Sequence, residues 1–319
     1  MERRDFLKQT GKAVALAAVT GGTGLIFHNR DVLSRPAGVS GTIPSFTVTA
    51  DTRYPAVALC RHEDPISALN RSLDAIGGIK RFVKSGERVT IKPNVGWDRS
   101  PAQAANTNPA LVGEMVRLCL AAGAVQVVVT DVSCNDPRRC FLRSGVRAAA
   151  EEAGASVLLP LDEDYRTVDL NGKLLSEWPV LRHFIETDRL INMPIVKQHS
   201  LSRCTIGMKN LYGILGGRRN QLHQQIDQSI VDLTAFANPT LTVVDATHVL
   251  TQGGPQGGSL DYVVREDTVI CGTDPVAVDA RSCEYLGLQG HAVSHITLAG
   301  AAGLGLVDYK AAGCKEIVG

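Results

Sequence analysis

The chain has 319 residues, with 33 Lys and Arg against 32 Asp and Glu and a formal net charge of +1. That balance supplies no global basic field for nucleic acid, and 5% aromatic residues offer few platforms for base stacking. Hydrophobic residues make up 44%, enough for a sizeable core in one large or two small domains.

The chain begins MERRDFLKQTGKAVALAAVTGGTGLIF. Arg3 and Arg4 precede Asp5, Phe6, Leu7 and Lys8, and an apolar run follows from Ala13 to Phe27. This pattern resembles the twin-arginine export consensus. The run is interrupted by glycine and short for a membrane span. The expectation is a targeting segment and linker over residues 1–45, an exported protein, periplasmic or extracytoplasmic, and the twin-arginine translocase as a partner. Ser34 to Gly41 is a candidate cleavage region, and an uncleaved segment would be the expected membrane contact. That route carries folded proteins, often with a cofactor already inserted, which favours a metal or organic redox cofactor and a redox partner. The eight cysteines form no C-x-x-C and no ferredoxin-like run, so no iron–sulfur motif is read.

Beyond residue 46 the pattern is that of one mixed α/β domain reaching residue 319. AVALCRH from Ala56 is β-like, and DPISALNRSLDAIGGI follows as a helix with Asp64 as its cap and Pro65 in its first turn. RVTIKPNVG is a strand ending near Pro93. TNPALVGEMVRLCLAAGA is helical from Pro109, and VQVVVTDV has the continuous apolar run of a strand buried on both faces. Strand, helix and strand make a βαβ unit and a mainly parallel sheet flanked by helices. RRCFLRSGVRAAAEEAGA predicts one helix leading into SVLLPL. Between Tyr165 and Leu190 an Asn-Gly pair separates two β-like runs and predicts an inserted β-hairpin. LINMPIVK then reads as a strand, CTIGMKNLYGIL and HQQIDQSIVDLTAFA as helices, LTVVDAT and DTVICGTD as strands, and DPVAVDARSCEYLGL as a helix.

In open parallel sheets, ligands gather at the carboxyl ends of the strands. Polar residues fall at such ends repeatedly: Lys92 and Asn94, Asp131, Lys197 and His199, Asp245, and Asp274. Lys92 with Asn94, and Lys197 with His199, have the two-residue spacing that puts both side chains on one strand face. Lysine offers a compact positive charge and asparagine both a donor and an acceptor, a set suited to carboxylate or phosphate. His199 is the candidate general acid/base, and equally a candidate metal ligand. Lys209 and Asn210 are adjacent on an expected helix, so only one of them is expected to reach the site. His223, Asp274 and Asp279 complete a candidate metal set with His199, without the spacing of a known metal motif. The aspartates also suit helix capping, Asp274 before Pro275 above all. Gly213, Gly216 and Gly217 permit close backbone approach. Arg218 and Arg219 read as a solvated charge pair.

IKPNVG, TNPALVGEMVRLCLAAGA and VVVTD, followed by INMPIVKQHSLSRCTIGMKNLYGILGGRRNQLH, LTVVDATHVLTQGGPQGG and TDPVAVDA, resemble in order the blocks of the family catalogued as domain of unknown function 362. The resemblance runs from about Ala56 to Leu306, and its motif positions fall on Lys92, Asn94, Lys197, His199, Lys209, Asn210, His223, Asp245, Asp274 and Asp279. It implies no activity. Some family members carry an attached ferredoxin-like iron–sulfur segment, a label that does not transfer to this sequence. Two functions remain in view. One is an exported enzyme acting on a small anionic substrate, with Lys197, His199 and Lys209 catalytic and Lys92, Asn94, Asn210 and Asp245 binding cofactor or substrate. The other is a periplasmic anion-binding or assembly protein without turnover.

Overall fold

β-branched and apolar runs build the strands of the computed structural model, in which residues 45–49 and 51–319 are described. The twin-arginine stretch and the candidate cleavage region lie outside the described residues. The strands are β1 (Val57–Arg61), β2 (Arg88–Pro93), β3 (Gln126–Val129), β4 (Ser156–Val157), β5 (Tyr165–Asp169), β6 (Glu177–Leu181), β7 (Arg189–Met193), β8 (Ile195–His199), β9 (Arg203–Thr205), β10 (Leu241–Leu250), β11 (Val263–Gly272) and β12 (Cys314–Val318). The helices are α1 (Pro65–Ala75), α2 (Ile79–Phe82), α3 (Pro109–Ala121), α4 (Pro137–Arg143), α5 (Val146–Glu152), α6 (Gly207–Asn210), α7 (Ile226–Ala237), α8 (Pro275–Ser282) and α9 (Ser294–Ala301). None of the described helices is long and apolar enough to cross a membrane.

The main sheet runs β12-β1-β11-β10-β7-β2-β3-β4, with β8 alongside β10 and β9 on β8. From β10 through β7, β2 and β3 to β4 the neighbours are parallel, while β11 is antiparallel to both β1 and β10. Alternation along the strands separates two cores. Val57, Leu59, Val244 and Ile270 join the helices α7, α8 and α9 on one face. Ala58, Val243, Val269 and Cys271 join α1, α3 and α5 on the other. The fold is therefore a mixed, mainly parallel sheet flanked by helices. The expected hairpin is present as the separate antiparallel pair β5–β6. Its connecting turn is pinned by the buried carboxylate of Asp232, which accepts from the Leu174 and Leu175 amides.

Several elements are shorter than their sequence pattern suggests. LINMPIVK is two strands, because Pro194 interrupts the ladder between β7 and β8. RRCFLRSGVRAAAEEAGA is two helices, broken where Gly145 adopts a φ of 73°. CTIGMKNLYGIL is a three-residue strand, the single-turn α6 and a 3-10 turn. His291 lies in a 3-10 turn and His295 in α9.

Candidate functional site

Three parallel strand ends and α6 converge on a cavity of about 220 Å³. Lys92 and Asn94 come from the end of β2, Asp131 from the end of β3, and Lys197 and His199 from β8, with Lys209 and Asn210 from α6. Tyr212, Arg219 and His223 close it from the segment after α6, and Trp97, Cys134, Thr205 and Pro255 complete its wall. Val132, Cys134, Arg219 and His223 also line an adjoining, wider groove of about 630 Å³, so the cavity opens toward the hairpin.

The floor is a continuous polar network. Lys92 Nζ donates to Asp131 Oδ1 at 2.8 Å, to the Pro93 carbonyl at 3.2 Å and to Asn210 Oδ1 at 3.2 Å. Asn94 Nδ2 donates to the same Asn210 oxygen at 2.8 Å, and Asn210 Nδ2 donates to Asn192 Oδ1 at 2.8 Å. Asn192, which stands opposite Lys92 in the β2–β7 register, donates onward to the Gly207 carbonyl at 2.9 Å. Lys197 Nζ donates to Asn94 Oδ1 at 2.8 Å and to the Ala105 carbonyl at 2.6 Å. Burial pulls the Lys92 ammonium down from its ordinary value while the Asp131 carboxylate opposes that shift. Lys197 has no carboxylate in hydrogen-bond contact among the described residues, and burial brings it from 10.5 to about 7.

Lys209 differs from both. Its Nζ lies 3.6 Å from the centre of the Tyr212 ring and finds no oxygen acceptor among the described residues. Burial lowers it to about 7, with Arg219, Lys197 and Lys92 adding repulsion. Both Lys209 and Asn210 reach the cavity, contrary to expectation, because the single turn of α6 is buried on every side. Two glycines make this close approach feasible. A Cβ on Gly213 would overlap the Asp131 carboxylate and the Lys92 ammonium, and one on Gly207 would lie 2.7 Å from Asp279 Oδ1.

The two imidazoles, stacked with centroids 6.2 Å apart, are held in opposite tautomers. His199 Nδ1 accepts from the Leu201 and Ser202 amides, so its proton sits on Nε2. Burial, then Lys209 and His223, pushes its pKa down to about 3. In this geometry His199 is a neutral donor through Nε2–H, with its Nδ1 lone pair taken up by the two amides. His223 Nδ1 lies 3.1 Å from the Asn220 carbonyl, to which it donates, leaving the Nε2 lone pair open. Burial and then Lys209 lower its pKa as well.

The suggested metal set does not assemble. Asp274 caps α8, accepting from the Val276 and Ala277 amides, and also binds the Leu306 amide. Asp279 is fully buried and accepts from the Gly207 and Met208 amides at 2.8 and 3.1 Å, fixing the start of α6. Neither lines the cavity with His199 and His223. Among the described residues no group of three or more His, Cys, Asp and Glu side chains could hold a metal ion. Asp245, expected to bind cofactor, instead accepts from the Asn108 and Thr247 amides and the Thr247 hydroxyl, anchoring the start of α3. It faces a different hollow, with Asn106 and His248. Arg219 is no solvated charge: it donates to the carbonyls of Ser133 and Tyr212 and lines the cavity. Asn192 was not singled out from sequence, although a lone amide inside the apolar run LINMPIV is its signal.

A family profile described as a domain of unknown function (DUF362) matches residues 89–284. The chain belongs to that family. The DUF362 match spans every strand end that feeds the cavity. A thylakoid-associated protein of Synechocystis sp. is 23% identical over 248 residues, covering 70% of this chain and 75% of the relative. Among solved structures, the lactate racemase apoprotein from Thermoanaerobacterium thermosaccharolyticum aligns with a TM-score of 0.44 and 13% identity, over 78% of this chain and 60% of that one. A Thermotoga maritima protein aligns with a TM-score of 0.40 and 11% identity, over 71% and 59%. The chain thus spans about three fifths of each of those two structures.

Proposed function

We propose that this DUF362 protein is an exported enzyme acting on a small molecule that carries a carboxylate or phosphate. The observation that carries the reading is the pair Lys197 and Lys209, two buried amines on one cavity without a carboxylate to pair them. A bound anion stabilises the ammonium form of each, so ligand binding and proton uptake reinforce one another. Around that anion clamp, the Nε2–H of His199 is a neutral donor for charge developing on the ligand, and the Nε2 of His223 is a base. A fixed donor stacked beside an open base favours turnover over simple carriage.

Calorimetric titration with malonate and with inorganic phosphate, at pH 6 and pH 9, tests the reading. Binding is expected at pH 6, weaker at pH 9, and abolished in a Lys197→Met/Lys209→Met double variant. Indistinguishable titrations of parent and double variant would sink it. Export rests on Arg3 and Arg4. Replacing both by Lys is expected to retain the protein in the cytoplasmic fraction, and unchanged fractionation removes that part of the proposal.

A further inference from the structure

We propose that Lys209 is a nucleophilic amine that forms an imine with an aldehyde or ketone bearing a carboxylate or phosphate. The inference rests on the anion-binding reading and names its substrate class. The three lysines of the cavity differ in what their nitrogens touch. Lys92 donates to three oxygens, one of them the Asp131 carboxylate, and Lys197 to two. The Asp131 carboxylate favours the ammonium form of Lys92, and the Asn94 and Ala105 oxygens tie two hydrogens of the Lys197 nitrogen and fix its direction. Lys209 has only the Tyr212 ring face, a weak anchor beside an oxygen acceptor. It lines the same cavity as His199 and His223 and is the strongest charge acting on both. With its pKa near 7, about half of the amine carries a lone pair at neutral pH.

The bonds balance without oxidant or reductant. The Nζ lone pair attacks the carbonyl carbon, and the π pair moves to the oxygen, toward the His199 Nε2–H. The nitrogen loses a proton to His223 Nε2, and the imidazolium so formed returns it to the oxygen, which keeps its hydrogen bond from His199. The C–O bond then breaks, the hydroxyl leaves with a second nitrogen proton as water, and C=N remains. One amine and one carbonyl give one imine and one water. Lys197 holds the anionic end.

Mature full-length protein is incubated with pyruvate or glyoxylate, reduced with borohydride, and read by intact mass and peptide mapping. One reduced adduct per chain is expected, on Lys209, suppressed by saturating malonate. It is expected to be absent in Lys209→Arg, which keeps the charge, and to form in Lys197→Met at higher carbonyl concentration. No adduct, an adduct spread over exposed lysines such as Lys315, or one that persists in Lys209→Arg overturns the proposal. Malonate binding without an adduct refutes the imine alone, whereas absence of both refutes the anion-binding reading as well.

Discussion

Replacing Asp131 by Asn strips the fully buried Lys92 of its carboxylate partner. The two side chains are 0% and 3% exposed, and the ammonium would keep only neutral oxygens, those of Pro93 and Asn210 at 3.2 Å and at best the new amide's own. Breaking a buried ion pair from one side costs about 3–5 kcal/mol. Deprotonation sets the ceiling: taking an amine of ordinary pKa 10.5 to its neutral form at pH 7, at about 1.4 kcal/mol per unit, costs about 5 kcal/mol. A loss of about 3–5 kcal/mol at pH 7 is therefore expected. The loss has a sign with pH. Once Lys92 folds neutral, the unfolded chain binds one proton more up to 10.5, so the variant's deficit shrinks by up to about 1.4 kcal/mol per pH unit. Urea unfolding of parent and variant at pH 7, 8 and 9 measures both. A deficit under about 1 kcal/mol, or one that stays constant relative to the parent, would refute the reasoning.

Lys197 and Lys209, each near 7 when folded against 10.5 ordinarily, impose a penalty present in full below about 7 and relieved as pH rises toward 10.5. Melting temperature should climb from pH 7 to 9 and flatten in the Lys197→Met/Lys209→Met variant; equal slopes would defeat the assignment. His199 should show a protonated Nε2 and an unprotonated Nδ1 in nitrogen NMR, unchanged from pH 5 to 8, and a titration midpoint near 6 would contradict its tautomer. Burial raises Asp279 to about 7, so the folded chain binds more protons between 3.8 and 7, and its contribution falls as pH rises through that window. Asp279→Ala should cost about 1–3 kcal/mol by baring the Gly207 and Met208 amides. It should also weaken malonate binding through the displaced Lys209, and calorimetry showing unchanged affinity would confine Asp279 to stability.

The strand ends were readable from sequence because parallel strands deliver their last residues to a common rim. Lys92, Asn94, Lys197 and His199 meet in one cavity for that reason. What separates Asp131 from Asp245 is not local: both follow β-rich runs, but one meets an ammonium and the other the Asn108 and Thr247 amides. The shortness of α6 was equally hidden. Gly213 reads as a place of close backbone approach without saying to what, and Gly207 carries no signal of its own, whereas their bare α-carbons answer to Asp279, Asp131 and Lys92, distant in sequence. The split roles of His199 and His223 depend on whether two amides or a carbonyl face Nδ1, a matter of turn geometry that residue type does not carry.

The row of amides beneath the cavity has a direction. As ammonium ions Lys92 and Lys197 can only donate, and the Gly207 carbonyl at the far end can only accept. Between them Asn94, Asn210 and Asn192 each accept from the lysine side and donate toward Gly207. Turning over any one amide sets oxygen against oxygen or nitrogen against nitrogen, so no member reverses alone. An aspartate at position 210 would still accept from Lys92 and Asn94, but its other oxygen would meet Asn192 Oδ1. Asn192 would then have to flip, presenting an oxygen to the Gly207 carbonyl. A single-atom change under the lysines would in this way arrive at the first residue of α6, the single turn that carries Lys209.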